Sequence, residues 1–246
     1  MALLRLGWFC AACLLAAPAL AEDLRFAVAA NFRDTFETLA ATYLERTGTR
    51  TVASFGASGA LYTQIVSGAP FDAFLSADVE RPARLVSEGW APAESRFTYA
   101  LGQLVLWTPG HDAPDEAWLR GESRIAIANP ELAPYGRAAQ QLLERSSLWD
   151  TASTRLVVGG SIGQAMTFVA SGGVPGGLVA HAQVNTLDPP APPEHVWIVP
   201  ATLYDPIEQQ AVTLKRGNLP SAGTFLDFLR SEEGRAIIEH SGYGLP

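Results

Sequence analysis

The chain has 246 residues, 48% of them hydrophobic, with 17 basic against 25 acidic side chains; that is enough for one α/β domain or two small ones with a full core. A net charge of −8 with no basic stripe excludes nucleic acid and anionic lipid as partners, since both need clustered cations. An anionic ligand would have to be held by locally aimed dipoles rather than by net charge.

The first predicted element is a leader. Arg5 precedes an apolar stretch over 6–20 that closes on Ala19, Leu20 and Ala21, the pattern of a signal peptide spanning 1–21 and cleaved after Ala21. A retained membrane span needs roughly 20 continuous apolar residues, and Pro18, Glu22 and Asp23 end this run too soon. Arg5 is the only charged residue in the leader, so processing leaves the chain one unit more negative. Cys10 and Cys13 also go with it, which removes any disulfide, thiolate nucleophile or Cys-ligated metal from the mature chain. The leader predicts a secreted protein.

Residues 24–29 read as a short buried strand, and Phe32, Phe36, Leu39, Ala40, Tyr43 and Leu44 then recur at helical spacing up to Gly48. Residues 50–55 form a second strand, and after Gly56, Ala57, Ser58 and Gly59 a helix carries Leu61, Ile65 and Val66 to a stop at 67–70. A strand over 71–75 and a helix over 80–88 follow. The grammar restarts with strands at 103–108 and 124–128, joined by a loop over 109–114, then a helix at 136–146 with Ala138, Leu142 and Leu143 on its apolar face. A strand at 155–158 runs through 159–163 into a helix at 164–170, and 177–180 is another strand. After a proline-rich surface loop at 189–193 come strands at 196–199 and 210–214 and one closing helix at 224–239. Alternation of this kind predicts βαβ units on mainly parallel sheets, and two successive blocks predict two lobes.

Four strand-to-helix turns carry small or hydrogen-bonding residues: Ala30 and Asn31; Gly56, Ala57, Ser58 and Gly59; 129–136; and Gly160, Ser161, Ile162 and Gly163. Helix N-termini present unpaired N–H groups and the positive end of the helix dipole, which favour an anion without any Lys or Arg. Open α/β sheets bind ligands at the carboxyl ends of their strands, where these turns stand. Ser, Asn and Gly are also the ordinary capping residues of any α/β protein, so a single such turn identifies nothing.

Five blocks in order along the chain, AVAANF at 27–32, SFGASG at 54–59, GAPFDAFLSAD at 68–78, IAIANPELAPYG at 125–136 and LYDPIEQQA at 203–211, resemble the periplasmic molybdate-binding proteins of ABC transporters. The resemblance implies the two-lobed, type II periplasmic-binding-protein fold, with 22–101 and 208–246 in one lobe, 102–207 in the other and a hinge of two chain crossings. It implies capture of molybdate, and of tungstate, between the lobes, delivery to the permease subunits of a membrane transporter, and a monomer with no cofactor, no directly coordinated metal and no catalysis. By motif position Asn31 stands where many members have Ser and would donate its side-chain amide; Ser58 would donate through hydroxyl and backbone N–H. Tyr135 would serve through phenol or backbone N–H, Ile162 through backbone N–H alone, and Ala30 would add one more backbone donor. Some members contact the anion with a Tyr where this chain has Ala180; in the subgroup with Asn in the first turn, the Tyr of the third turn takes over that contact.

The rival readings are a binding protein for another oxyanion, such as sulfate, and an esterase. Gly159, Gly160, Ser161, Ile162 and Gly163 spell the G-x-S-x-G of a hydrolase nucleophile elbow, with Asp205 and His240 following in the order that family uses. Against it, no HGGG-type oxyanion loop precedes Ser161 and His240 falls at a helix end. His111, His181, His195 and His240 lack the spacing of a metal site.

Overall fold

In the computed structural model, which describes residues 23–246 apart from Asp112, β1 (Leu24–Ala29) turns successive side chains to opposite buried faces. Phe26 and Val28 enter a cluster with Phe32, Phe36 and Phe225, while Ala27 enters another with Leu61, Phe74 and Leu85. The signal peptide predicted over 1–21 lies outside the described residues. The elements after β1 are α1 (Arg33–Thr47), entered through a 3-10 turn at Ala30–Phe32, β2 (Thr51–Gly56), α2 (Ser58–Val66), β3 (Ala73–Ser76), α3 (Glu80–Ser87) and β4 (Phe97–Gly102). Then come β5 (Leu104–Trp107), α4 (Glu116–Arg120), β6 (Ile125–Ala128), α5 (Pro134–Arg145), α6 (Trp149–Ala152), β7 (Leu156–Gly159), α7 (Ile162–Ala170), β8 (Gly176–Ala180) and α8 (His181–Asn185). The chain ends with β9 (Val196–Ile198), β10 (Ile207–Thr213), α9 (Leu219–Arg230) and α10 (Glu232–His240).

Two five-stranded sheets result, ordered β2-β1-β3-β10-β4 and β7-β6-β8-β5-β9. The orders correspond position by position, so β1 and β2 in the first sheet occupy the places of β6 and β7 in the second. The chain passes from one sheet to the other at Gln103 and returns between β9 and β10. The first sheet has a cluster on each face, one under α1, α9 and α10 and one under α2 and α3, and the second sheet has its own, built from β5, β6, β8, α5 and α7.

Three sequence expectations need correction. The sheets are mixed rather than mainly parallel: β10 is antiparallel to β3 and β4, and β5 to β8 and β9. These strands adjoin the two crossings and enter their sheets without a βαβ connection, so nothing requires the parallel direction. The single helix expected at 224–239 is two, divided at Ser231, whose extended backbone ends α9 and whose Oγ accepts from Gly234 N–H at 3.2 Å to cap α10. β4 went unassigned because Tyr99 and Ala100 are buried consecutively. The pairing with β10 slips between Gln209 and Gln210, which pair with Ala100 and Thr98, so Tyr99 is the extra residue of a bulge that breaks the expected alternation.

Candidate functional site

The helices begin earlier than periodicity indicates, α2 at Ser58, α5 at Pro134 and α7 at Ile162. The turn residues themselves therefore become first-turn residues. All four turns stand at the carboxyl ends of β1, β2, β6 and β7, two from each sheet, and they meet. Ala30, Asn31, Ser58, Tyr135 and Ile162 line one small cavity of about 10 Å³, together with Ala29, Gly56, Ala57, Ala77, Ala133 and Pro134. No charged side chain is among them.

Three of the helix starts around the cavity are open, as are those of α3 and α6 outside it. The 3-10 turn into α1, α2 and α5 each begin without a side-chain cap, whereas α4, α9 and α10 are capped by Asp115, Asn218 and Ser231. α7 is capped only at its third N–H, by Ser161 Oγ to Gln164 at 3.3 Å. The first-turn N–H groups of Ala30, Asn31, Ser58, Tyr135 and Ile162 therefore have no helical acceptor, and all five residues are buried. Four dipole ends aimed at one neutral cavity make a receptor for a small anion.

The side chains add detail. Ser58 Oγ accepts from Ala77 N–H at 3.0 Å, which leaves its proton available as a donor. The Asn31 side chain is turned inward in this structure, where its Nδ2 donates to Gln209 Oε1 at 2.8 Å and to Tyr243 Oη at 3.0 Å. Both amide hydrogens are thus committed inside the protein, and the backbone N–H is the donor left to the cavity. Tyr135 Oη accepts from Gln209 Nε2 at 3.3 Å, and burial holds the phenol well above the usual tyrosine range, so it stays a neutral donor. Ala180 is buried at the start of α8 and does not line the cavity. Gln209 and Tyr243 were not anticipated as neighbours of the site: they reach it from the hinge and the C-terminus, with no local sequence signal beyond the LYDPIEQQA block.

The lobes touch across the cleft beside this cavity. Gly59 N–H donates to Leu132 O at 2.9 Å, Arg81 Nη2 donates to Glu131 O at 3.2 Å, and Arg137 pairs with Glu80 at 3.3 Å. The esterase constellation does not assemble. Ser161 serves as the cap of α7, Asp205 is held by Arg145 at 2.5 Å and Gln141 at 2.7 Å, and His240 lines a different groove with Asp34 and Thr38. Among the described residues no group of three or more His, Cys, Asp or Glu side chains is placed to hold a metal ion.

Two mixed sheets joined by two crossings, with uncapped helix starts from both closing on a small neutral cavity, define a solute-binding protein of the two-lobed periplasmic type. The family model described as bacterial extracellular solute-binding protein matches residues 24–244, and the chain belongs to that family. It is 43% identical over 233 residues to the molybdate-binding protein ModA of Rhodobacter capsulatus, covering 93% of this chain and 91% of that one. It is 42% identical over 237 residues to ModA of Azotobacter vinelandii, with 94% of each covered. The solved structure of the Azotobacter vinelandii periplasmic molybdate-binding protein superposes with a TM-score of 0.86 at 41% identity, over 91% of this chain and 100% of that one. Relatives of this class are binding proteins, and the chain is not an enzyme.

Proposed function

We propose that the protein captures molybdate, and tungstate equally well, in this cavity and presents it to the permease subunits of an ABC transporter. The observation that carries the reading is the convergence of Ala30, Asn31, Ser58, Tyr135 and Ile162, from four helix starts and both sheets, on one cavity without charged side chains. A dianion there receives many short charge-assisted hydrogen bonds from neutral donors. Its backbone donors are those of Ala30, Asn31, Ser58, Tyr135 and Ile162, with the hydroxyls of Ser58 and Tyr135 added. Hydrogen phosphate brings a proton that backbone N–H groups and a Tyr135 hydroxyl aimed at the anion cannot accept, and burying that donor unpaired costs about 1–3 kcal/mol. Sulfate carries the right charge and differs by size alone.

The lobes of this reading are 22–101 with 208–246 and 102–207. The anion docks on one lobe and hinge closure brings up the N–H groups of the other, so binding selects the closed form that the permease recognises. The mature protein acts as a monomer in the periplasm after cleavage behind Ala21. Calorimetric titration of mature protein with molybdate, tungstate, sulfate and phosphate tests the proposal: tight binding of the first two and weak binding of the others is the expected result. Tight sulfate binding with no response to molybdate would transfer the site to the sulfate reading, and heat with none of the four would refute it.

A further inference from the structure

A buried chain of hydrogen bonds runs from the first binding turn through the hinge to the third. Its polarity is fixed from one end. The carbonyl of Asn31 can only accept, and Tyr243 Oη lies 2.7 Å from it, so the single Tyr243 proton goes there. The Asn31 side-chain atom 3.0 Å from Tyr243 Oη must then be the donor, Nδ2. The same Nδ2 meets Gln209 at 2.8 Å, and that Gln209 atom must accept, so it is Oε1. Tyr99 Oη lies 3.1 Å from Gln209 Oε1 and 3.2 Å from Ser76 O, and its one proton is shared between these two acceptors. Gln209 therefore turns Nε2, a pure donor, toward Tyr135 Oη at 3.3 Å. The phenol oxygen accepts from that amide, and no acceptor for its own proton appears among the described residues. Tyr135 is 1% exposed and lines the anion cavity, so that proton is a buried donor in need of a partner.

From this we infer that Gln209 is a specificity-determining positioning residue: it orients the Tyr135 hydroxyl so that its proton points at the bound oxyanion. The inference rests on the oxyanion reading above. Gln209 sits on β10 at the second crossing, fully buried, opposite Ala100 and beside the bulge. A bulge re-aims the side chains next to it, which is how a strand of the first lobe comes to hold a side chain of the second. The first crossing is shaped to fit. A Cβ on Gly102 would fall 2.3 Å from Tyr135 Oη and 3.0 Å from Gln209 Nε2, so only glycine lets phenol and amide meet there. An anion bearing its own proton meets an outward-pointing O–H instead of an acceptor.

The test is a double-mutant cycle on the full mature chain, with molybdate affinity measured by calorimetry and folding checked by thermal unfolding of the ligand-free protein. Tyr135→Phe and Gln209→Met are each expected to weaken molybdate binding by about tenfold to a hundredfold, the range for a hydrogen bond to a charged group. The double variant is expected to be no weaker than Tyr135→Phe alone, because Gln209 acts through the phenol; a merely structural glutamine would give multiplied losses. Multiplied losses, or wild-type affinity in Gln209→Met, overturn the inference. Should Gln209→Met fail to fold, Gln209→Glu keeps the shape and replaces the donor facing Tyr135 by an acceptor, which turns the phenol proton inward. Its expected result is a loss at least as large as that of Tyr135→Phe, and wild-type affinity there again overturns the inference. Wild-type titration tests the oxyanion reading by itself, and a wild-type chain that binds neither molybdate nor tungstate overturns both.

Discussion

Gly59, at the second position of α2 in one lobe, donates its N–H to the carbonyl of Leu132 in the other at 2.9 Å, one residue beyond the cavity residue Ser58. The bond joins the lobes beside the place where the anion is held, so opening the cleft would break it. A Cβ on Gly59 would stand 3.0 Å from Arg81 Nη2 and 3.1 Å from Leu132 O, against a backbone group that cannot swing aside without moving a lobe. Gly59→Val is therefore expected to weaken molybdate binding by about tenfold or more, equivalent to ~1.4 kcal/mol taken from the closed state. Ligand-free thermal stability should fall much less. Calorimetry paired with small-angle scattering reads both effects, and unchanged affinity with normal compaction on ligand addition would show that the contact is incidental.

Ser58 acts on both sides of its hydroxyl: the oxygen accepts from Ala77 N–H at 3.0 Å and the proton remains for the ligand. Ser58→Ala removes a donor to a charged group and strands a buried N–H. Molybdate affinity is expected to fall by about tenfold to a hundredfold, and unfolding free energy by roughly 1 kcal/mol. Urea unfolding and calorimetry on the same preparation separate the two. A stability loss without an affinity loss would place the hydroxyl's role in the fold alone.

Much of this was legible in the sequence, and the reasons differ from residue to residue. The alternation of strand and helix is written in apolar periodicity, and Ala30, Asn31, Ser58, Tyr135 and Ile162 could be collected because helix starts announce themselves by small and polar residues. Whether a start is capped or open is not so written: Ser161 and Ser58 look alike, yet one caps its own helix and the other bonds Ala77 across 19 positions. The partners of the Asn31 side chain are hidden from local sequence for the same reason, since Gln209 and Tyr243 lie 178 and 212 residues away. Strand direction at the crossings, and the bulge that hides β4, are likewise tertiary facts that local propensity does not carry.

Arg81 and Asp78 form an ion pair whose side chains are only 10% and 13% exposed, and Arg81 Nη2 also reaches Glu131 O of the opposite lobe at 3.2 Å. Removing one member of a buried pair leaves an uncompensated charge, at a cost of about 3–5 kcal/mol. Arg81→Met should therefore be strongly destabilised and should bind molybdate more weakly, while Arg81→Met with Asp78→Asn should regain much of the stability. Affinity in the double variant should stay below wild type, because the cross-cleft bond to Glu131 is still missing. Full recovery of affinity would mean that Arg81 stabilises its own lobe and takes no part in closure.

The last prediction concerns alkaline pH. Burial raises the phenols of Tyr99, Tyr135 and Tyr243 well above the usual 10.0, so the native state keeps protons that unfolded tyrosines release near that value. The sign follows from proton counting. Below about pH 10 both states are protonated and the full stability is present; as pH rises past the unfolded value, the unfolded state binds fewer protons and stability falls. Because no side chain lining the cavity titrates near neutrality, molybdate affinity should be flat between roughly pH 7 and 9. It should then be lost together with the fold. Of the six tyrosines, these three should develop phenolate absorbance only in step with the loss of far-ultraviolet circular dichroism. Ionisation of all six while the dichroism stays native would show that the hydrogen-bonded network around Gln209 is open to solvent.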